Sequence, residues 1–370
     1  TDLNIKKFNY SKANSTTEMF KDCHSLEKLD LSNFKLKTNH ISSMFYNCYS
    51  LTSLDLSKFE TGSVKNMSKL FYNCNKLSSL ILSDFHTNSA ENMEFMFYSC
   101  SSLTSVNLMS FSTNNVNKMN NMFQDCISLE NLDLSKFNTE NVNNMEYMFS
   151  NCISLNSVNI DNFATSKVTN MSNMFSFCKK LQKLEFGNNF LTLEVQNMES
   201  MFKNCEVLKE LNISKFDTNK VENMRSMFER CIKLSSLIIN ISIFKTSKVK
   251  DMQYMFSNCK ELDKLDTSNF DTSLVTNMRN MFESCKKLTY INANRFNTSL
   301  VTDMQRMFSN CREITELNIT NFNTSLVTDM NNMFELCPKL TSIDVSNFVT
   351  SKVTNMEKMF SNCQSITELD

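Results

Sequence analysis

The sequence predicts an α/β repeat fold: a right-handed solenoid of about 14 units of about 26 residues, with a parallel sheet on the concave side and short helices on the convex side. Three observations indicate it: evenly spaced cysteines, two hydrophobic periods in each unit, and a narrow composition. The 370 residues include 14 Cys, 26 Met and 31 Phe, but only 2 Gly and 1 Pro. Because glycine and proline normally make turns, the turns here must use other residues.

The cysteines define the repeat. Ten of the thirteen steps between successive cysteines are 26 residues long, and the other three are 25, 27 and 28 residues. A Phe stands three positions before each Cys, and Met precedes that Phe in 13 of 14 copies, with Leu70 as the exception. We therefore expect residues 1–370 to form one continuous repeat array.

The segment before each Cys has a helical period. In one copy, Val142, Met145, Phe149 and Cys152 follow one another at steps of three or four, which places them on one face of a helix. A Thr or Ser often precedes this segment, as at Thr169, and the residue directly after that Thr or Ser is Asn or Asp. Such residues are typical of the start of a helix. The pattern predicts a short helix whose Met, Phe and Cys side chains are buried.

The segment after each Cys has the period of a strand. Leu155, Val158 and Ile160 follow an L-x-x-L-x-L rule, whose last three positions alternate inward and outward. Phe163 then turns inward again. A unit of this size buries its apolar face only by stacking on its neighbours, and such stacking makes a solenoid with a parallel sheet.

The repeat resembles a known family. Residues 322–337 follow the frame F-x-T-S-x-V-T-x-M-x-x-M-F-x-x-C, and nearly every copy keeps it. This unit resembles the BspA-like, DUF285-type leucine-rich repeat of bacterial and protist surface proteins. Phe59, Phe163 and Phe322 stand where ordinary leucine-rich repeats have Asn, so we expect a stacked Phe spine instead of an Asn ladder. The resemblance implies display at an extracellular or cell surface, adhesion or recognition, and no catalytic residues.

Both ends of the chain fall within predicted strands. Leu3, Ile5 and Phe8 match the strand frame, and the chain stops at Leu369 and Asp370 in another copy. Solenoids normally carry polar capping repeats at their ends. We therefore expect this chain to be a segment of a longer one, or its ends to be covered by other chains or by each other.

Charge and hydropathy exclude several classes of function. A net charge of -1 gives no general attraction to nucleic acid. No run of about 18 apolar residues predicts a transmembrane helix, and no signal peptide pattern is present in this chain. The histidines, His24, His40 and His86, have no marked nucleophile beside them, and two glycines cannot form a phosphate-binding loop. We expect no enzyme activity, no cofactor and no metal site.

The fourteen cysteines allow three interpretations. A ladder of buried, reduced thiols is favoured, because helices packed side by side would hold neighbouring cysteines about 8–10 Å apart. A disulfide needs Cα atoms within about 7 Å of each other. A few disulfides where the array is irregular remain an alternative. Metal binding is disfavoured because the sequence has no C-x-x-C motif and no paired histidines.

A row of polar residues lies seven positions after most cysteines, between two inward-facing strand residues. One interpretation is a hydrated face with Asn and Asp hydrogen bonds along the stack; the other is a concave binding surface for protein or glycan, and a calcium ladder is a weaker option. The candidate ligand-binding residues are Asp30, Asp55, Asn107, Asp133, Asn159, Glu185, Asn212, Asp266, Asn292, Asn318 and Asp344.

Two repeats are irregular, and insertions in repeat proteins often map to binding loops. The copy around Gly187 carries one extra residue, and the copy with Ile238, Ile241 and Ile243 carries two. Drift of a repeat explains both. The alternative is an exposed apolar patch at the three isoleucines that contacts a partner.

The sequence therefore predicts a surface-displayed scaffold for adhesion or for recognition of a protein or glycan on another cell or matrix. The alternative is a structural subunit of an extracellular filament, sheath or larger assembly, whose partners are other copies or chains.

Overall fold

A computed structural model of the chain describes residues 2–3, 5, 13–31, 34 and 38–369. Phe8 and Asp370, which the sequence places in the first and last repeats, lie outside the described residues. Contacts divide the chain into two compact units, Thr1–Leu191 and Thr192–Asp370. Each unit is a stack of the predicted repeat, while one continuous array over residues 1–370 stays a prediction.

The strands of each unit are short, parallel and in register. In the first unit, β1 to β4 form one sheet in chain order, and β5 pairs with β6. In the second unit, β7 pairs with β8 and β9 pairs with β10. The strand bounds are β1 Asp2–Leu3, β2 Lys28–Leu29, β3 Ser53–Asp55, β4 Ser79–Ile81, β5 Asn131–Asp133, β6 Ser157–Asn159, β7 Glu210–Asn212, β8 Ser236–Ile238, β9 Ser342–Ile343 and β10 Glu368–Leu369.

Register pairs residues at the same position of successive repeats. Leu132 of β5 lies opposite Val158 of β6, and both side chains are buried while Asn131 and Ser157 beside them are exposed. This alternation confirms the predicted parallel strands and the leucine-rich-repeat type of fold. We call the outward side of these strands the strand face.

The predicted short helices are wrong. Among the described residues, the one helical element is a 3₁₀ turn at Ala293–Arg295, outside the predicted helical segments. The segment before each Cys is instead a spiral of turns, which we call the turn segment. Two of its residues in each repeat, such as Tyr147 and Asn151, have positive φ angles of 54° and 58°. A residue with positive φ ends a right-handed helix, so no α-helix can form across it.

Hydrogen bonds explain why the turn segment replaces a helix. The N–H groups of Tyr147, Phe149 and Asn151 donate to carbonyls of the next repeat at 3.0, 2.9 and 2.7 Å. The N–H groups between them close local turns, as Ser150 does onto Tyr147 at 3.1 Å. An α-helix would use all of these donors internally. The turn segment thus hydrogen-bonds to its neighbour in the stack, which offsets the cost of the positive φ angles.

The core of each unit contains a column of stacked phenylalanine rings, three positions before each Cys. Neighbouring centroids are 5.3–5.9 Å apart in the first unit and 5.3–6.0 Å apart in the second. We call this column the inner Phe ladder. The second column, after the strands, stacks in places, as Phe34 and Phe59 do at 5.4 Å and Phe244 and Phe270 do at 6.0 Å.

Candidate functional site

The predicted ligand-binding residues follow the strands, and most of them close a turn. In eight of the eleven, the side-chain Oδ1 accepts a hydrogen bond from the backbone N–H two residues later, at 2.9–3.3 Å. This is an Asx turn, which fixes the path of the chain as it leaves the strand. The eight residues are Asp55, Asn107, Asp133, Asn159, Asn212, Asp266, Asn318 and Asp344.

Two of the other three predicted residues, Glu185 and Asn292, differ from this pattern. Glu185 forms an ion pair with Lys183, with Nζ and Oε1 2.7 Å apart. Asn292 begins the 3₁₀ turn without a side-chain cap. Asp30 is exposed after β2. The sequence therefore located the row correctly on the outward side, but it missed the backbone contacts that most of the row makes.

These contacts lower the pKa of three aspartates of the row, Asp133, Asp266 and Asp344. The N–H and hydroxyl of Ser135 donate to Asp133 and hold the pKa of its carboxyl below the ordinary value. The corresponding serine lowers the pKa of Asp266 and of Asp344 in the same way. A hydrogen bond to the charged form of a carboxyl favours that form. The strand face thus carries fixed, oriented negative charges between neutral amides.

Two open grooves on the strand face bring five of the predicted residues together in two groups. The larger has a volume of about 650 Å³ and is lined by residues 105–109, 131–133 and 157–159, which include Asn107, Asp133 and Asn159. The smaller has a volume of about 350 Å³ and contains Asp266 and Asn292. We call the larger one the strand groove. It combines exposed amides and a carboxylate with an apolar floor, which suits recognition of a polar ligand.

The smaller groove includes an aromatic residue. Tyr290 is 64% exposed and lies beside Lys264, with which it forms a parallel bridge. Its ring forms part of the groove wall. This groove has about half the volume of the strand groove.

The predicted isoleucine patch is only partly formed. Ile238 is 48% exposed at the end of β8 and Ile241 is 39% exposed in the inserted turn. Ile243 is half-buried, and its carbonyl accepts a hydrogen bond from the Thr218 N–H at 3.2 Å. Because Ile243 is half-buried, two of the three isoleucines are exposed, and the exposed apolar surface is smaller than the predicted patch.

The cysteines form a ladder of free thiols along the inner Phe ladder. The Sγ–H groups of eleven buried cysteines donate to a Phe carbonyl of the preceding repeat, as Cys178 does to Phe149 at 3.2 Å. The expected spacing of about 8–10 Å between neighbouring cysteines is wrong. Successive turn segments are joined by backbone hydrogen bonds, so they stack at the spacing of paired strands, about 4.8 Å, and not at that of packed helices. Within the described residues, no group of three acidic, Cys or His side chains could hold a metal ion.

Burial makes most of these thiols unreactive, which predicts a labelling pattern. Desolvation raises the pKa of Cys178 to about 12, so its thiolate fraction at pH 8 is about 10⁻⁴. Cys23 and Cys363 are half-buried. We expect iodoacetamide to modify these two in the folded protein and all fourteen after unfolding, as read by peptide mass spectrometry. Rapid native labelling of Cys178 would contradict the buried ladder.

A strip of aromatic side chains on the turn segments of the first unit was missed by the sequence-based predictions. Tyr46, Tyr72 and Tyr98 stack on one another with centroids 4.6 and 4.4 Å apart. Phe95 is tilted against Tyr72 and Tyr98 at 6.1 and 5.8 Å. All four rings are half-buried. The signal was present: a Tyr stands two positions before three successive cysteines. We call these four residues the tyrosine strip.

Within the described residues, no helix has the length and hydropathy needed to span a membrane.

Comparison with solved structures finds leucine-rich-repeat proteins of low sequence identity. A leucine-rich cell surface protein from Faecalibacterium prausnitzii is 20% identical with a TM-score of 0.42, over 89% of this chain and 81% of that chain. A leucine-rich-repeat protein from Bacteroides ovatus is 18% identical with a TM-score of 0.46, over 89% and 80%. The functional domain of InlJ from Listeria monocytogenes, which includes a cysteine ladder, is 14% identical with a TM-score of 0.28, over 92% and 60%.

Comparison at the level of sequence gives a family. No curated protein sequence matches the chain significantly. The family described as Mycoplasma protein of unknown function, DUF285, matches residues 1–81, 39–156, 92–211, 183–291 and 289–369. These segments together span residues 1–369 and follow the same repeat that the cysteines define. The chain therefore belongs to the DUF285 family of leucine-rich-repeat proteins.

Proposed function

We propose that this chain is a non-enzymatic repeat scaffold, displayed at a cell surface, that recognises a protein or glycan through its strand face. The strand groove carries the proposal. Three of its polar residues, Asn107, Asp133 and Asn159, come from successive repeats and are each held by an Asx turn. Side chains that are fixed before binding lose less entropy when a ligand arrives.

The composition of the groove supports binding of a polar ligand. Asn131 and Ser157 flank the aspartate and are linked by a hydrogen bond of 2.8 Å between the Ser157 hydroxyl and Asn131 Oδ1. Val106 and Met109 add apolar surface, and Met109 is 50% exposed. Met109 is also the one methionine outside the repeat frame, so its exposure does not serve the core. Apolar floor with a few oriented polar groups is typical of binding sites.

Filling the groove with lysine tests the proposal. Ser105, Asn131 and Ser157 are exposed and each lies five residues after a Cys, where other repeats of the same chain carry Lys28 and Lys183. We expect the triple variant Ser105→Lys, Asn131→Lys, Ser157→Lys to keep the unfolding midpoint of the wild type. We expect it to lose at least tenfold in affinity for whichever probe the wild type binds in an array of defined oligosaccharides and purified matrix proteins.

The control is Ser236→Lys in β8, which adds the same side chain to a strand of the second unit, outside the groove. Its affinity should equal that of the wild type. The proposal fails if the triple variant binds as tightly as the wild type does. It also fails if the wild type binds no probe and its particle size by light scattering instead grows with concentration, which would favour a structural subunit.

A further inference from the structure

The tyrosine strip is a local departure from the repeat. Four of the chain's eight tyrosines, Tyr46, Tyr49, Tyr72 and Tyr98, fall within one stretch of three repeats. The equivalent positions of the next three repeats are Gln124, Ser150 and Ser176, and Ser150 is buried with its hydroxyl 2.8 Å from that of Ser176. The turn segment therefore also forms with a serine at this position. The stacked rings are not required to build the repeat.

The rings are fixed before any partner arrives. The Tyr72 ring has a Tyr ring against each of its faces, and the Tyr46 ring lies between Tyr72 and the Lys21 ammonium, whose Nζ is 5.6 Å from the Tyr46 centroid. At these two rings the edges and hydroxyl groups are therefore the parts that a ligand can reach. Sugar rings bind aromatic side chains through the aromatic face, which the stack occupies at Tyr46 and Tyr72. Tyrosine edges and hydroxyls in a rigid array are common anchors of protein interfaces.

Carboxylates stand at both ends of the strip. Asp22 accepts a hydrogen bond from Asn47 Nδ2 at 2.8 Å next to the Tyr46 end. At the other end Asp125 accepts from Asn151 Nδ2 at 2.7 Å and lies close enough to Tyr98 to interact with its hydroxyl. The two carboxylates occupy the same position of repeats four steps apart. At the spacing of stacked strands, this separates them by about 19 Å.

Two lysine side chains of the same chain already lie over rings of the strip. Besides Lys21 over Tyr46, the Lys69 ammonium lies 5.5 Å from the Phe95 centroid. Both are cation–π contacts. The surface thus combines π systems, aromatic edges and two terminal carboxylates, and a basic ligand complements all three.

We propose that the tyrosine strip is a docking surface for an extended segment of a partner protein that carries two basic side chains about 19 Å apart with uncharged residues between them. The basic side chains pair with Asp22 and Asp125, and the segment between them lies along the Tyr edges. An extended chain advances about 3.3 Å per residue, so the two basic residues are about six positions apart. This inference rests on the proposed function as a recognition scaffold and adds a second surface to it.

The test uses the full chain and a labelled peptide of the stated chemistry. The probe is fluorescein-Arg-Thr-Leu-Thr-Leu-Thr-Arg-amide, followed by fluorescence anisotropy. We expect saturable binding to the wild type, and at least a tenfold loss in affinity for the triple variant Tyr46→Ser, Tyr72→Ser, Tyr98→Ser. The same peptide with Glu in place of both Arg should also bind at least tenfold more weakly.

Charge variants keep the test decisive if the triple variant does not fold. Asp22→Asn and Asp125→Asn place at these positions the amide that neighbouring repeats carry at Asn47 and Asn151. Each should weaken peptide binding by about threefold, and 0.5 M salt should remove that difference. Tyr290→Ser in the second unit and the groove variant of three lysines should leave peptide binding unchanged, which separates this surface from the strand groove.

Three results would overturn the proposal. The first is peptide binding that is equal for the wild type and for a folded triple Tyr→Ser variant. The second is no wild-type binding up to 1 mM peptide at low salt. The third is a glycan, such as chitotetraose, that binds the wild type in place of the peptide and is lost in the same Tyr variants, which would assign the strip to sugar recognition.

Discussion

Replacing Phe149 with alanine is expected to lower the free energy of unfolding by about 3–5 kcal/mol. The Phe149 ring is fully buried and stacks between Phe123 at 5.9 Å and Phe175 at 5.3 Å. Truncation removes the buried apolar area, leaves a cavity that the rigid stack cannot close, and breaks two aromatic contacts worth about 0.5–1.5 kcal/mol each. Guanidinium unfolding followed by circular dichroism measures the loss.

Phe360 provides the matched control. It occupies the same position of its repeat, but it is half-buried and its ring contacts Phe334 at 5.4 Å. We expect Phe360→Ala to cost about 1–2 kcal/mol, because less apolar area is lost and solvent already reaches the site. Equal losses for the two variants would show that the inner Phe ladder does not act through stacking from both sides.

The effect of Phe149→Ala should also spread along the stack. In a repeat protein each unit is stabilised by its neighbours, so a weak central unit disconnects the units on either side. Hydrogen exchange should then speed up first at the amides that bridge to the next repeat, such as the Tyr147 and Asn151 N–H groups, which donate at 3.0 and 2.7 Å. Faster exchange confined to the last repeats would contradict this expectation.

The repeat, the strands and the core were predictable because each depends on periodicity. Cysteine spacing gives the unit, and burial of Met145, Phe149 and Cys152 follows from steps of three or four. The same steps, however, fit a spiral of turns as well as a helix, since both return to one face every three or four residues. Hydrophobic spacing alone therefore could not separate the two.

A local signal distinguishes the turns from a helix. The residue before each Cys has positive φ, and in seven of the fourteen repeats it is Asn, as at Asn47, Asn73 and Asn151. Asn adopts positive φ more readily than most residues. None of the 28 described residues with positive φ is β-branched. A repeated Asn at a fixed position inside a helical period is thus a reason to predict a turn.

The candidate site was predictable in position and not in local role. The sequence placed Asp55, Asp133, Asp266 and Asp344 outward on the strand face, and each does lie there. Their Asx turns had a signal too, because each of these aspartates is followed by Ser two positions later. Whether that pair closes a turn depends on how the chain leaves the strand, which the period of the strand does not determine. To predict the tyrosine strip from the sequence, equivalent outward positions of successive repeats must be compared with one another.

Replacing Gly187 with alanine is the second change expected to have a large effect. A Cβ atom built on Gly187 would lie 1.7 Å from the carbonyl oxygen of Asp161 in the preceding repeat, so the backbone must shift. The shift would strain two nearby hydrogen bonds of Thr165. Its N–H donates to the Asn189 carbonyl at 3.2 Å, and its hydroxyl donates to the Leu191 carbonyl at 2.6 Å. We expect a loss of about 2–4 kcal/mol in the free energy of unfolding, from overpacking and weakened hydrogen bonds.

Gly62 makes this prediction specific, because it lies in the same unit and a Cβ there meets nothing within 4 Å. Neither glycine has positive φ, so alanine at Gly62 is expected to be neutral or to stabilise by about 0.4–1 kcal/mol through the unfolded state. The two variants, measured in one guanidinium series, should therefore differ in sign or by at least about 2 kcal/mol. If they agree, close approach to Asp161 does not explain why the repeat with one extra residue carries a glycine. If they differ as expected, the extra residue is accommodated by bringing the backbone against the preceding repeat, at a position where only glycine has the room.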